Sequence, residues 1–210
     1  FSGAYAFNQP LNSWDVSSVT NMPWMFNGAS AFDQPLNLWD VSSVTNMTGM
    51  FLNDTLSTLN YNALLTGWSA LALQTGVTFS GGNSIYSTAT AARDHMVNSH
   101  GWIISDGGPA STEKAITVFS FDDFSPAVDG TIDEVNHTVS LTVPNGTDVT
   151  ALASYFTISA NASMKIGETT QTSGVGANDF TSPITYTVTA QSGDTQDYIV
   201  TVIEGAVLST

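Results

Sequence analysis

FNQPLNSWDVSSVTNMPWMF, residues 7–26, returns as FDQPLNLWDVSSVTNMTGMF, residues 32–51, 25 positions further on. The copies differ only at Asn8/Asp33, Ser13/Leu38, Pro23/Thr48 and Trp24/Gly49. A fixed period of this size marks an array in which each unit buries its apolar face against the next. Apolar side chains recur at Leu11, Trp14, Val16, Val19 and Met22, then at Leu36, Trp39, Val41, Val44 and Met47. That spacing predicts a short strand over residues 14–16, with alternate side chains pointing in and out. Thr20 is placed to cap a short helical turn whose Met22, Met25 and Phe26 face inward. Pro10 and Pro35 suit a return segment that needs no ladder donor. Stacked units set equivalent residues about 4.8 Å apart, so Trp14 is expected on Trp39 and Phe26 on Phe51.

The pattern L-x-x-W-x-V-x-x-V-x-x-M has the form of a leucine-rich repeat with Trp, Val and Met in leucine positions. Its core, W-D-V-S-S-V-T-N-M at Trp14 to Met22 and Trp39 to Met47, resembles the 25-residue BspA-like repeats of bacterial surface proteins. Residues 56–108 resemble the segment that closes such arrays. They read as two short helices and two strands. Tyr61, Leu64, Leu65 and Trp68 line one face of the first helix, and residues 77–79 form a strand. A second helix over about residues 88–98 ends at Gly101, before a strand at 102–104. The resemblance implies adhesion and surface recognition. Residues 1–6 align with residues 26–31, so the chain is expected to begin partway through a repeat, as a piece of a longer protein.

Past the turn-rich Asp106-Gly-Gly-Pro109 the character changes. Thr and Val dominate, and period-two alternation replaces the long repeat. Strands are predicted at residues 116–121, 131–135, 138–143, 156–159, 164–166, 184–190 and 197–203, with a hairpin turn at Gln191-Ser-Gly-Asp194. This pattern argues a β-sandwich of immunoglobulin type. The stretch ITYTVTAQSGDTQDYIVTVI resembles the closing hairpin of bacterial Ig-like or cadherin-like modules. The expected architecture is therefore an α+β leucine-rich-repeat solenoid with a C-terminal helical and strand cap, followed by an all-β immunoglobulin-like sandwich. Its parts are a solenoid over residues 1–108 (repeats 1–55, cap 56–105), a linker at 109–114, a sandwich at 115–205 and a tail at 206–210.

Three basic residues against eighteen acids give a net charge of −15. Such a chain repels nucleic acid and has no basic patch to release counterions; anionic membrane surfaces are disfavoured on the same ground. No cysteine is present, so there are no disulfides. No apolar stretch reaches the roughly 20 residues of a membrane span.

Asp15 and Asp40 occupy the same outward position on neighbouring units, where like charges repel. Either a cation or ligand offsets this, or each carboxylate accepts hydrogen bonds from the Ser17-Ser18 and Ser42-Ser43 turns; the second reading is preferred. The outward columns Ser13/Leu38, Asp15/Asp40 and Ser17/Ser42 are the candidate binding face, with Leu38 as an apolar anchor. Pro23/Thr48 and Trp24/Gly49 read as a tolerant outer surface. Asp122, Asp123, Asp129, Asp133 and Glu134 gather near the start of the sandwich and are the candidate metal ligands, with calcium the ion considered, although no D-x-D-x-D-G loop is present. His95 and His100, five apart on a helix, have the wrong interval for a shared face. There is no G-x-S-x-G, H-E-x-x-H or phosphate loop, so no enzyme is expected.

The sequence therefore points to a non-catalytic recognition or adhesion module, extracellular or on a bacterial cell surface. Its partner would be a glycan or protein of a host, cell or substrate, with the sandwich as spacer and no cofactor beyond the candidate calcium. A structural stalk and an ice-binding surface on the Thr20/Thr45 and Ser17/Ser42 columns are the alternatives.

Overall fold

Two tight turns break each copy of the repeat. The first is closed by Trp14 N–H donating to the Leu11 carbonyl at 3.0 Å, the second by Val19 N–H donating to Val16 at 2.8 Å. The second copy repeats both, with Trp39 to Leu36 at 3.2 Å and Val44 to Val41 at 3.0 Å. Asp15 sharpens the second turn by accepting from the Ser17 N–H at 3.1 Å, the Asx-turn geometry that competes with a strand. Only three residues remain between the turns, so the strand expected at residues 14–16 does not form. Nor does Thr20 cap a helix. Its hydroxyl accepts from Asn21 Nδ2 at 3.1 Å, and residues 23–28 are turns.

The computed structural model describes residues 1–206; most of the expected tail at 206–210 lies outside the described residues. The chain divides into two units, the first comprising residues 1–110 and the second beginning at residue 111.

In the first unit the two copies pair backbone to backbone. Met22, Trp24, Phe26 and Gly28 donate to the carbonyls of Asn46, Thr48, Met50 and Leu52 at 2.8–3.0 Å. The next segment continues the pattern, with Met47 N–H donating to Thr78 and Phe51 N–H to Ser80, each at 3.0 Å. Phe26 stacks on Phe51 at 5.2 Å, as expected, and on Phe1 at 5.6 Å. The indoles do not follow. Trp14 packs on Phe1 and is half exposed, whereas Trp39 is buried beside Phe26. Buried indoles instead reach back to backbone. Trp39 Nε1 donates to Leu11 at 2.8 Å, Trp68 to Leu36 at 3.0 Å and Trp102 to Gln74 at 2.9 Å.

Helix α1 (Thr58–Ser69) buries Tyr61, Leu64, Leu65 and Trp68. Its N-cap Ser57 donates to Asp33 Oδ1 at 2.9 Å, which also accepts from Asn60 Nδ2 at 2.8 Å. These bonds pin the helix to the second repeat. Strand β1 (Thr78–Ser80) pairs in parallel with β2 (Ile103–Ser105). Between them α2 (Thr90–His100) stops at Gly101, whose φ of 66° permits the left-handed cap.

The second unit stacks two sheets around Ile116, Phe119, Phe121, Leu141, Tyr186, Tyr198 and Val200. Its strands are β3 (Ile116–Phe121), β4 (Val128–Asp129), β5 (Thr131–Asp133), β6 (Thr138–Val143), β7 (Tyr155–Ile158), β8 (Ser163–Ile166), β9 (Thr169–Thr170), β10 (Ile184–Thr189) and β11 (Thr195–Glu204). One sheet has the order β5-β6-β11-β10-β8-β9, the other β4-β3-β7. Alternation selects the inner face: Val139, Leu141 and Val143 of β6 are buried while Ser140 and Thr142 are exposed.

The expected fold class needs correction in the first unit. The molecule is mostly β-sheet with two short helices among the described residues, not an α+β leucine-rich-repeat solenoid with a cap. The repeats hold neither helix nor strand, and the sheet of the first unit has two strands. In the second unit β6 and β11 run parallel, so the larger of its two sheets is mixed.

Candidate functional site

The outward columns sit on the turns just described. Ser13, Asp15, Leu38 and Asp40 are exposed, Leu38 at 71 %, while Ser17 and Ser42 are half-buried. Asp15 Oδ1 accepts from the Ser17 hydroxyl at 2.7 Å as well as from its N–H. Asp40 Oδ1 accepts from the Ser42 N–H at 3.0 Å. Ser17, side chain first and then backbone, holds the Asp15 carboxyl below its usual range. Ser42 does the same for Asp40, against a smaller upward push from Asp15. The two carboxylates are therefore neighbours, close enough for Asp15 to act on Asp40, each with Oδ1 committed to its own turn. Asn12 ties the layers beside them, donating to Asn37 Oδ1 at 3.2 Å and accepting from the Leu38 N–H at 2.9 Å. In the Thr20/Thr45 column both hydroxyls have partners within the protein: Thr20 Oγ1 accepts from Asn21 Nδ2 and Thr45 Oγ1 donates to the Thr20 carbonyl, each at 3.1 Å.

Beside Asp15 lies a groove of about 410 Å³ lined by Trp14, Val16, Val19, Met22 and Met25. The equivalent positions of the second copy, Trp39, Val41, Val44, Met47 and Met50, are buried. Pro23, Thr48 and Trp24 are exposed, as a tolerant outer surface requires, but Gly49 departs from it. Gly49 is buried, and the Trp24 ring lies over it.

Four of the five acids proposed as metal ligands enter separate side-chain hydrogen bonds, and the fifth, Asp129, lies on a strand. Asp122 Oδ1 accepts from Ser120 Oγ at 2.6 Å, and Asp123 Oδ1 from the Tyr155 hydroxyl at 3.0 Å. Asp129 pairs across the sheet with Ser120. Asp133 closes its turn by accepting from the N–H groups of Val135 and Asn136 and from Asn136 Nδ2. Glu134 Oε2 accepts from the Tyr198 hydroxyl at 2.6 Å. Calcium asks for six to eight oxygens, and among the described residues no three His, Cys, Asp or Glu side chains converge on one point. His95 and His100 do come together, their ring centroids 5.2 Å apart. His100 is the last residue of α2, where the chain leaves the helical path and the interval rule no longer governs.

One family matches each half. Residues 116–202 match the N-terminal region of SGBP, a surface glycan-binding family. Residues 1–83 match the family described as Mycoplasma protein of unknown function, DUF285. The resemblance to BspA-like leucine-rich repeats is thus corrected: the repeats match DUF285, and no match to a leucine-rich-repeat or BspA family supports it. No curated protein matches the chain. Among solved structures it is similar to a candidate glycoside hydrolase of Bacteroides thetaiotaomicron VPI-5482, at 31 % identity and a TM-score of 0.37 over 46 % of this chain and 26 % of that one. A candidate secreted protein of Bacteroides fragilis NCTC 9343 follows at 19 % identity and 0.36, over 47 % of this chain and 100 % of that one. A DUF4623 family protein of Bacteroides eggerthii DSM 20697 stands at 16 % and 0.35, over 45 % and 22 %. The chain spans about a quarter of the first of these. Among the described residues no helix is long and apolar enough to cross a membrane.

Proposed function

We propose that this chain is a non-catalytic glycan-recognition segment of an extracellular bacterial protein, secreted or held at the cell surface. The observation that carries the reading is the match of residues 116–202 to a surface glycan-binding family. The glycan lies along the outward row of the repeats. Sugars offer hydroxyls that donate to carboxylates, and such charge-assisted bonds are stronger than neutral ones. Asp15 and Asp40 stand exposed at equivalent positions of successive copies and can accept from two hydroxyls of one chain of sugars. Leu38 supplies the exposed apolar contact that the carbon face of a sugar takes.

Affinity electrophoresis and isothermal titration calorimetry against a panel of bacterial and plant polysaccharides test this reading. The wild-type protein is expected to bind at least one polysaccharide without releasing new reducing ends. Asp15→Ala with Asp40→Ala should weaken that binding about tenfold or more, as loss of two charge-assisted bonds requires, with circular dichroism unchanged. Undiminished binding moves the site off the row. Retention of no glycan leaves the segment a spacer, and new reducing ends make it an enzyme.

A further inference from the structure

The turn between β5 and β6 opens a second pocket, within the unit that begins at residue 111. It has a volume of about 270 Å³ and is lined by Glu113, Lys114, Glu134, His137, Gln196 and Tyr198, among others. Its walls are held from both sides. His137 sits at φ 52°, a conformation costly for a side chain of this size, and its carbonyl accepts from the Ile199 N–H of β11 at 3.0 Å. The opposite wall is fixed where Ser111 N–H donates to Gln191 Oε1 at 3.0 Å and Ala115 N–H to Ser159 Oγ at 2.9 Å.

Within this frame the polar groups are unevenly satisfied. Tyr198, 1 % exposed, spends its hydroxyl on Glu134 Oε2 at 2.6 Å, leaving Oε1 as an acceptor. The imidazole of His137 meets the Tyr198 ring edge to face at 5.4 Å. His137 Nδ1 is shut off from solvent with no hydrogen-bond partner, a state that costs about 1–3 kcal/mol for a polar atom. His137 is also among the residues that line the pocket, so a ligand there meets its ring. Burial, and then the bond to Glu134, push Tyr198 up to about 12, so its proton stays in place and Glu134 stays oriented.

We propose that this pocket is a ligand site for a neutral polyhydroxylated group with the chemistry of a saccharide ring, recognised by Glu134 and His137. Two carboxylates, one ammonium, an amide and an imidazole supply donors and acceptors together. That mixture suits hydroxyls, which both donate and accept, and it disfavours an anion facing Glu113 and Glu134. The site stands on its own geometry and does not need the row on the repeats.

The test follows the three histidine rings of the full chain by long-range proton–nitrogen NMR, with His137→Gln assigning the third. Methyl glycosides of glucose, galactose, mannose and N-acetylglucosamine are the probes, with sodium acetate as the anionic comparison. A saturable shift of the His137 ring with at least one glycoside is expected, with affinity about tenfold weaker in Glu134→Gln and unchanged in Asp15→Ala with Asp40→Ala. A silent His137 ring with all four glycosides overturns the proposal. So does saturation by acetate alone, or an undiminished response in Glu134→Gln. Because the first readout is on the wild-type protein, a variant that fails to fold leaves the proposal open to refutation.

Discussion

Trp24 lies across Gly49. A Cβ added to Gly49 would stand 2.4 Å from Trp24 Cε3, and Gly49 has φ 66°. The two positions are equivalents in successive copies, and Trp24 itself holds φ 58°. The one residue accepts an unfavourable backbone and the other gives up its side chain, so that the indole can close over the layer beneath.

Gly49→Ala should therefore lower stability by about 2 kcal/mol or more, through both the left-handed backbone and the collision. The same substitution made on Trp24→Gly should cost visibly less, because only the backbone component remains. Urea unfolding of the four proteins in the cycle measures the difference. Equal costs in the two backgrounds would show that the indole does not rest on Gly49.

Asp54 is 3 % exposed, with Oδ1 accepting from the Thr55 N–H at 2.8 Å and Oδ2 without a partner. Burial, helped by the charge of Asp33 and opposed by the Thr55 bond, raises it from 3.8 to about 6. Between those values the folded chain keeps a proton that the unfolded chain releases. Its contribution is thus full below about pH 4 and is lost as pH rises through about 6. Asp54→Asn should flatten this part of the stability profile and raise Tm at pH 8 by a few degrees. Thermal melts from pH 4 to pH 8 check both.

Asp106 gathers Arg93 Nε and the Tyr61 hydroxyl, each at 2.8 Å, and its side chain is 2 % exposed. Removing it strands the guanidinium, so Asp106→Ala should cost about 3 kcal/mol. Arg93→Met with Asp106→Leu should cost less than Asp106→Ala alone. Because the pair is largely covered, added salt should change its contribution little. Denaturant melts at low and high ionic strength measure all three effects.

Trp39→Phe keeps most of the buried ring and deletes the Nε1 donor to the Leu11 carbonyl. Together the orphaned acceptor and the lost volume should cost about 2 kcal/mol. Trp14→Phe, at a half-exposed ring, should change stability much less. Chemical denaturation of the two variants side by side would expose any error in the assigned roles.

Much of the first unit could be read from letters because its interactions recur at a fixed offset. Phe26 reaches Phe51, and Met22 reaches Asn46, through the same spacing that the two copies display. The apolar face of α1 and the left-handed Gly101 are local signals of the same kind. Residues 14–16 alternate in polarity as a strand does, but the Asp15–Ser17 turn takes the backbone there instead. Trp14 and Trp39 carry one letter in one frame, yet only Trp39 is covered by a neighbouring layer. In the second unit the strands follow period two, but which strands become neighbours is not written locally. The parallel register of β6 and β11 is such a case. Glu134 and Tyr198 are 64 residues apart, and only that register brings them together. The positive φ of His137 left no mark in the sequence.

The pairing of Met22, Phe26 and Gly28 with Asn46, Met50 and Leu52 makes length here come in quanta. Excising or inserting one whole copy leaves every donor facing an acceptor of the right kind. Gaining or losing a single residue puts the Phe stack and the backbone pairs out of phase together. Evolution, or an engineer, can therefore lengthen this region in steps of one copy and in few others.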